Sequence, residues 1–221
     1  MNHAGAASGD FLRFQQLWQR CLDDNAEDHS ADIHSKLLSA YSEPQRVYHD
    51  LSHIDHCLSM FDLARQFMQN PDLVELAVWM HDVVYQPGAS DNEARSVDWY
   101  RAIAANTQRQ DSCEQVCQMI MATQHDNIPP PESDAAYMVD IDLSSFALPW
   151  DEFLQDGANL RLENPQRSDS DYYSSQIAFQ KSLLARERFY YTDFFHQQFE
   201  TRARDNLARY FEQVNTQREI T

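Results

Sequence analysis

Helical periodicity runs through almost the whole of this sequence, and it limits the possible fold more than any other feature. Apolar residues recur at i, i+3 and i+4 from Phe11, Phe14, Leu17 and Trp18 onwards, which is the spacing of an amphipathic helix. Strand-like alternation is absent, and the 221 residues include only four glycines, too few for the many tight turns of an all-β fold. The sequence therefore predicts an all-α protein.

Helix-breaking residues divide this pattern into ten predicted helices. The clearest breaks are Pro44, Asn70-Pro71, Gln86-Pro87-Gly88 and the proline run that begins at Pro129. The predicted helices cover residues 11–22, 32–41, 50–69, 72–85, 91–106, 112–124, 134–147, 150–162, 169–187 and 193–215.

We expect one domain of about eight to ten helices over residues 10–215, preceded by a flexible N-terminus over residues 1–9. Residues 45–147 are expected to form its central part, with the helices of residues 148–215 packed on it or forming a satellite. The aromatic stretch from Phe189 to Phe199 is expected to belong to the core or to a dimer interface rather than to a base-stacking surface.

Charge and composition exclude several classes of protein. The chain carries 35 acidic and 17 basic side chains, a formal charge of −18, which repels nucleic acid and anionic membrane surfaces. No stretch approaches the roughly 20 apolar residues that span a bilayer, and the N-terminal residues lack the basic and apolar blocks of a secretory signal. The four cysteines show no Cys-x-x-Cys spacing, which predicts reduced, mostly buried thiols in a cytoplasmic protein.

Candidate chemistry is concentrated in histidines and aspartates, because the few glycines leave no glycine-rich phosphate loop. Four of the nine histidines occur in one short span: His49, His53, His56 and His81. His81-Asp82 ends the apolar run of residues 73–80, where an unpaired imidazole and carboxylate would be costly to bury. A divalent cation would satisfy both groups, and a simple His–Asp hydrogen bond is the structural alternative.

An ordered set of motifs extends this pattern along the chain. The motifs are Tyr48-His49-x-x-x-His53-Ile54, His81-Asp82-x-x-Tyr85, Asp91-Asn92-Glu93-x-x-Ser96, Thr123-x-His125 and Asp140-Ile141-Asp142-Leu143. The set resembles the HD-domain superfamily of metal-dependent phosphohydrolases, and more closely a bacterial group of predicted HD phosphohydrolases. The resemblance covers nearly the whole chain and implies an all-helical HD-like domain around a metal centre.

The resemblance also implies a set of metal ligands. The pattern His…His-Asp…Asp falls on His53, His81, Asp82 and Asp142, with Asp140 as the alternative fourth ligand. Asp142 is favoured because Leu143 and Phe146 follow it on a helical face. Two imidazoles and two carboxylates suit Mn²⁺, Fe²⁺, Co²⁺, Ni²⁺ or Zn²⁺, and Mg²⁺ is a further option.

Two further histidines are expected to take part in catalysis. The segment that begins at Tyr48-His49 is distantly similar to the cyclic-nucleotide phosphodiesterases, in which the first histidine donates a proton. That similarity implies His49 as general acid, although Asp50 stands where those enzymes have asparagine. His125 is expected to bind a second metal or a phosphate oxygen, or else to be an exposed histidine favoured by the helix dipole.

Three charged residues are candidates for substrate binding. Arg46 and Arg95 could each bind a phosphate through two parallel hydrogen bonds, or they could form surface ion pairs. Glu93 precedes Arg95 in the motif that follows His81-Asp82, so it is expected near the same site.

Together these features predict a metal-dependent phosphohydrolase acting on a small phosphate ester, a nucleotide or a related metabolite. The metal, with Asp82 as a ligand that also serves catalysis, would lower the pKa of a water and polarise a phosphoryl oxygen. His49 or His125 would protonate the leaving oxygen. No nucleic-acid or membrane partner is expected, and a homodimer stays open. The alternatives are an HD-type di-iron oxygenase and a non-catalytic helical interaction protein in which the His/Asp set is a structural network.

Overall fold

The computed structural model describes the backbone of residues 9–220 and the side chains of residues 9–214. Within this range the protein contains ten α-helices and no strand, so the prediction of an all-α domain of eight to ten helices is confirmed. The helices are α1 (Phe11–Cys21), α2 (Ser30–Tyr41), α3 (Leu51–Ala64), α4 (Pro71–Met80), α5 (Asn92–Ala104), α6 (Gln110–Ala122), α7 (Asp134–Asp142), α8 (Trp150–Leu162), α9 (Asp169–Leu184) and α10 (Asp193–Ile220). Short 3₁₀ segments follow α3 at Arg65–Phe67 and α7 at Leu143–Ala147.

Local signals in the sequence explain where several helices begin. The side chains of Asp50, Ser133 and Ser168 accept hydrogen bonds from backbone N–H groups in the first turns of α3, α7 and α9, as N-cap residues do. Pro71 is the first residue of α4, a position where its missing N–H leaves no hydrogen bond unmade.

Helix α4 lies at the centre of the core. Every residue from Val74 to Met80 is buried, and the helix packs against α1, α3, α6 and α7. An almost uninterrupted apolar sequence is typical of a helix that is surrounded on all sides. This placement puts the end of α4, and therefore His81-Asp82, deep inside the domain.

The C-terminal helices share this core. α10 packs against the 3₁₀ segment Leu143–Ala147, and Phe189, Tyr190 and Phe195 are completely buried. The predicted core role of the aromatic stretch is confirmed for these three side chains. The flexible segment predicted for residues 1–9 falls almost wholly outside the described residues, and within those residues no helix is long and apolar enough to cross a membrane.

The structure corrects the sequence prediction in the segment that carries His81-Asp82. α4 was expected to continue to about Tyr85, but it ends at Met80, and residues 81–84 form turns and bends. The guanidinium of Arg46 donates to the carbonyl oxygens of Asp82 at 2.6 Å and Val83 at 3.0 Å, so these carbonyls are satisfied outside the helix ladder. His49 lies just before α3, which begins at Leu51.

Candidate metal centre and active-site cavity

Side chains from three separate elements converge at one point in the core. His53 lies on α3, His81 and Asp82 follow α4, and Asp142 is the last residue of α7. Nε2 of His53 is 3.2 Å from Nε2 of His81 and 3.4 Å from Oδ1 of Asp142. Oδ2 of Asp82 is 3.1 Å from Nε2 of His81 and 3.6 Å from Nε2 of His53. We call these four side chains the His/Asp cluster.

The separations within the His/Asp cluster fit ligands around one cation. Ligand atoms about 2.1 Å from a common centre lie about 3.0 Å apart in octahedral geometry and about 3.4 Å apart in tetrahedral geometry. The fifth separation, between Nε2 of His81 and Oδ1 of Asp142, is 3.6 Å. Nδ1 of His81 donates to the carbonyl oxygen of Val78 at 3.0 Å, so Nε2 of the neutral ring presents a lone pair to the cluster.

The electrostatics of the cluster favour positive charge at its centre. Burial by itself would lower the pKa of His81, but the carboxylates of Asp82 and Asp142 raise that pKa well above its ordinary value. Burial would raise the pKa of Asp142, yet its close contacts with His125, His53 and His81 hold that pKa well below its ordinary value. Two ionised carboxylates therefore stabilise a cation here, whether a proton or a metal ion.

One potential donor in this region was missed by the sequence analysis. Cys57 stands one turn after His53 on α3, and its Sγ lies 3.7 Å from Nε2 of His53. Together with His53, His81 and Asp142 it forms a compact set of potential metal ligands. Burial raises the pKa of the Cys57 thiol well above its ordinary value, which opposes the thiolate form that binds metals. The i, i+4 spacing from His53 is the signal that could have identified it.

Helix α7 carries two aspartates whose carboxylates have different partners. Asp142 contacts the His/Asp cluster, whereas Asp140 is completely buried elsewhere. The carboxylate of Asp140 accepts hydrogen bonds from the backbone N–H of Tyr191 at 2.8 Å and from the N–H and hydroxyl of Thr192, both at 2.7 Å. It thereby fixes the segment that leads into α10. The alternative assignment of Asp140 as a cluster ligand is contradicted by these contacts.

His49 lies beside the cluster and is held by a residue from a distant part of the chain. Nδ1 of His49 is 2.7 Å from Oε2 of Glu163, which follows the last turn of α8. The ring of Tyr85 stacks on the imidazole, with centroids 4.0 Å apart and planes 26° apart. Burial would lower the pKa of His49, but the carboxylates of Asp82 and Glu163 raise it.

Glu163 is itself almost completely buried, with 2% of its surface exposed. Its Oε1 accepts hydrogen bonds from three successive backbone N–H groups, those of residues 47, 48 and 49, at 2.8–2.9 Å. Burial would raise the pKa of Glu163, but the hydrogen bond from His49 and the backbone donors lower it to about 2. Glu163 is not among the residues that the sequence predicts for the site. Its only local signal is a negative charge at a helix C-terminus, where the helix dipole opposes it.

A cavity of about 550 Å³ opens beside the cluster, a size suited to a small-molecule ligand. His49, Asp82, His125 and Asp142 lie at one end of it. Aromatic rings from α8, α9 and α10 form much of the remaining wall: Phe153, Tyr172, Tyr173, Phe179 and Tyr210.

His125 lines this cavity and contacts the cluster. Its Nε2 is 3.2 Å from Oδ2 of Asp142, and 12% of its side chain is exposed, so the alternative of an exposed helix-terminal histidine is wrong. Its backbone φ is +60°, a left-handed conformation that turns the chain sharply after α6. His56, the remaining member of the histidine group, contacts the hydroxyl of Ser144 at 2.8 Å instead.

The predicted phosphate-binding arginines have other roles. The guanidinium of Arg46 is buried and donates to the backbone carbonyl oxygens of residues 49, 82 and 83, so it ties two chain segments together. Arg95 is exposed on α5 and does not line the cavity. Neither Arg46 nor Arg95 lines the cavity, so the structure gives no support to the expectation that they bind substrate there. Glu93 does line the cavity, and Arg167 is the guanidinium that the structure places there.

Comparisons with known proteins place this chain in no family. No protein-family model matches it. No curated protein matches its sequence, and no solved structure matches its fold. Its function must be inferred from the chemistry of the site.

Proposed function

We propose that this chain is a metal-dependent phosphohydrolase of the HD type that acts on a small phosphate ester, a nucleotide or a related metabolite. The observation that carries the proposal is the set of five separations of 3.1–3.6 Å among the nitrogen and oxygen atoms of the His/Asp cluster. The cluster residues follow one another along the chain in the order His, His-Asp, Asp, which is the ligand order that the HD resemblance implies.

The donor set supports a divalent transition metal as cofactor. His53, His81, Asp82 and Asp142 would hold it, and two imidazoles with two carboxylates suit Mn²⁺, Fe²⁺, Co²⁺, Ni²⁺ or Zn²⁺, with Mg²⁺ as a further option. A bound divalent cation polarises a phosphoryl oxygen and lowers the pKa of water. The hydrogen bond from His81 to the Val78 carbonyl orients this ligand, as partners behind metal-binding histidines commonly do.

Residues beside the cluster support proton transfer and substrate binding. Because Nδ1 of His49 faces Glu163, Nε2 is the ring atom left to hold a proton toward a substrate in the cavity. His125 lines the cavity and contacts Oδ2 of Asp142 through Nε2, which supports its proposed role at a phosphate oxygen or a second metal. The four free cysteines support the proposed cytoplasmic location.

The proposal is tested by metal reconstitution. Purified protein is treated with a chelator, reloaded with one divalent cation at a time, and assayed against a panel of phosphate esters while its metal content is measured. His81→Ala should lose both bound metal and hydrolysis. His29→Ala, which changes a half-exposed histidine outside the cavity, should lose neither. Undiminished hydrolysis in His81→Ala would refute the proposal.

One observation favours a second candidate, the di-iron oxygenase. Asp142 presents Oδ1 to His53 and His81 and Oδ2 to His125, an arrangement that would let one carboxylate contact two cations. Two irons per chain together with a charge-transfer absorption band would favour this candidate over the phosphohydrolase.

A further inference from the structure

The contact between His49 and Glu163 carries an inference that rests on the proposed function and deepens it. We infer that Glu163 is a positioning residue that aims His49 at the leaving oxygen of the substrate, and that the natural substrates are alkyl phosphate esters. His49 and Glu163 would do little to accelerate the hydrolysis of aryl phosphates and phosphoanhydrides.

The two oxygens of Glu163 perform different tasks. Oε1 binds the backbone N–H groups of residues 47–49, and Oε2 binds Nδ1 of the His49 ring at 2.7 Å. One buried carboxylate thus fixes the backbone and the ring of the same residue. The stacked ring of Tyr85 covers one face of the imidazole, so rotation about the side-chain bonds of His49 is restricted. The remaining nitrogen, Nε2, is held in one direction.

Such a fixed proton donor matters most for a strongly basic leaving group. In the proposed step a water oxygen forms a bond to phosphorus, the bond between phosphorus and the alcohol oxygen breaks, and its electron pair stays on that oxygen. The alcohol oxygen takes the Nε2 proton of His49, while the attacking water releases one proton to solvent, from which His49 is protonated again. An alkoxide is about as basic as hydroxide, so it needs this proton. Nitrophenolate and phosphate are far weaker bases and leave without it.

The charges around the cavity point to the same substrate class. Among the residues whose side chains are described, and outside the cluster and the histidines, the charged lining consists of Arg167 against Glu93 and Asp156. Nη2 of Arg167 already donates to the Asp171 carbonyl and the Ser175 hydroxyl. A polyphosphate is bound by several cationic groups, and this lining is too acidic to accept one. A single phosphate on an uncharged alcohol fits the lining better.

Glu163→Gln separates the positioning charge from the backbone contacts. The amide oxygen can still accept from residues 47–49, whereas the amide nitrogen is a donor and would face Nδ1 of His49. The ring would then accept at Nδ1 rather than donate. Glu152→Gln is the matched control, because Glu152 is an exposed carboxylate on α8 that does not line the cavity. His49→Gln is a second variant, which leaves the backbone contacts of Glu163 in place.

The test compares kcat/KM for three esters (glycerol phosphate, phenyl phosphate and p-nitrophenyl phosphate) and for pyrophosphate in the metal-loaded protein. Glu163→Gln and His49→Gln should each lose about 10²-fold or more on the alkyl ester, within the range for a general acid, and less than about fivefold on p-nitrophenyl phosphate. The double variant should be no worse than either single variant. Glu152→Gln should match the unaltered protein throughout.

A measurement independent of turnover follows the ring nitrogens of His49 by ¹⁵N NMR. Nδ1 should carry a proton in the unaltered protein and lose it in Glu163→Gln. Equal losses of kcat/KM on all three esters, or a proton that stays on Nδ1 in Glu163→Gln, would overturn the inference. Pyrophosphate as the best substrate would also overturn it. Each of these results would still be compatible with the proposed phosphohydrolase function. No hydrolysis of any ester with any cation would refute the proposed function and the inference together.

Discussion

Removing the cation from the His/Asp cluster should destabilise the folded protein. Two imidazole nitrogens and two carboxylate oxygens lie 3.1–3.6 Å apart inside the core. They come from segments as far apart in sequence as His53 and Asp142, so the unfolded chain does not bring them together. A cation held by all four therefore binds the native state almost exclusively, and its binding energy adds to the stability of the fold.

The expected size of the effect follows from linkage. A cation present at 100 times its Kd adds about 2.7 kcal/mol to the free energy of unfolding. For a chain of 221 residues, each kcal/mol shifts Tm by about 2–4 °C. Chelation should therefore lower Tm by about 5–10 °C.

The pH dependence of this difference has a definite sign. Because the fold raises the pKa of His81, protonated His81 stabilises the cation-free protein. That stabilisation is complete below the unfolded pKa of about 6.5 and is lost as the pH rises through the raised folded value. A proton and a metal ion compete for Nε2 of His81, so the Tm difference between loaded and chelated protein should be smaller at pH 6 than at pH 8.

The assay is calorimetric melting at both pH values, with the metal content of each sample measured. His81→Ala is the control, since a chelator should not change its Tm. An unchanged Tm in unaltered protein from which the metal has been removed would refute the reasoning, and so would a difference that grows as the pH falls.

Four further outcomes are expected. Asp140→Ala leaves the buried donors of Tyr191 and Thr192 without an acceptor and should cost about 2–5 kcal/mol, yet titration calorimetry should still show metal binding. Asp142→Ala should abolish that binding, and its Tm should be insensitive to chelator. Arg46→Ala removes the guanidinium that holds the His81-Asp82 turn through the carbonyl oxygens of Asp82 and Val83. This variant should bind metal about 10–100-fold more weakly, measured in the same titration. Metal binding at pH 7 should release a proton, because the cation displaces the one on His81; equal heats in buffers of different ionisation enthalpy would contradict this.

Most of the fold could be predicted because its determinants are local. Apolar residues at helical spacing and breaks such as Asn70-Pro71 depend only on near neighbours in the sequence, and all ten predicted helices have an observed counterpart. The end of α4 was predicted wrongly because its determinant is distant: Arg46 satisfies carbonyl groups 36 and 37 residues away. No local pattern contains that contact.

The candidate site likewise combines features that can be predicted from the sequence with contacts between distant residues that cannot. The motif order brings His53, His81, Asp82 and Asp142 into one hypothesis, and these are the side chains that converge in the structure. Glu163 could not be found in this way. It lies 114 residues from His49, and its sequence neighbours show only a charged residue at the end of a helix. The positions of Arg46 and Arg95 could not be predicted, because charge alone does not show whether a guanidinium faces backbone carbonyls, solvent or a cavity.

Anomalous diffraction is the most direct measurement of the central claim, that the His/Asp cluster is a metal centre. Crystals are grown with Mn²⁺ or Zn²⁺, and data are collected on both sides of the absorption edge of that metal. We expect an anomalous peak about 2.0–2.3 Å from Nε2 of His53, Nε2 of His81 and the carboxylate oxygens of Asp82 and Asp142. Metal-loaded protein whose only peaks lie away from these four side chains would contradict the claim.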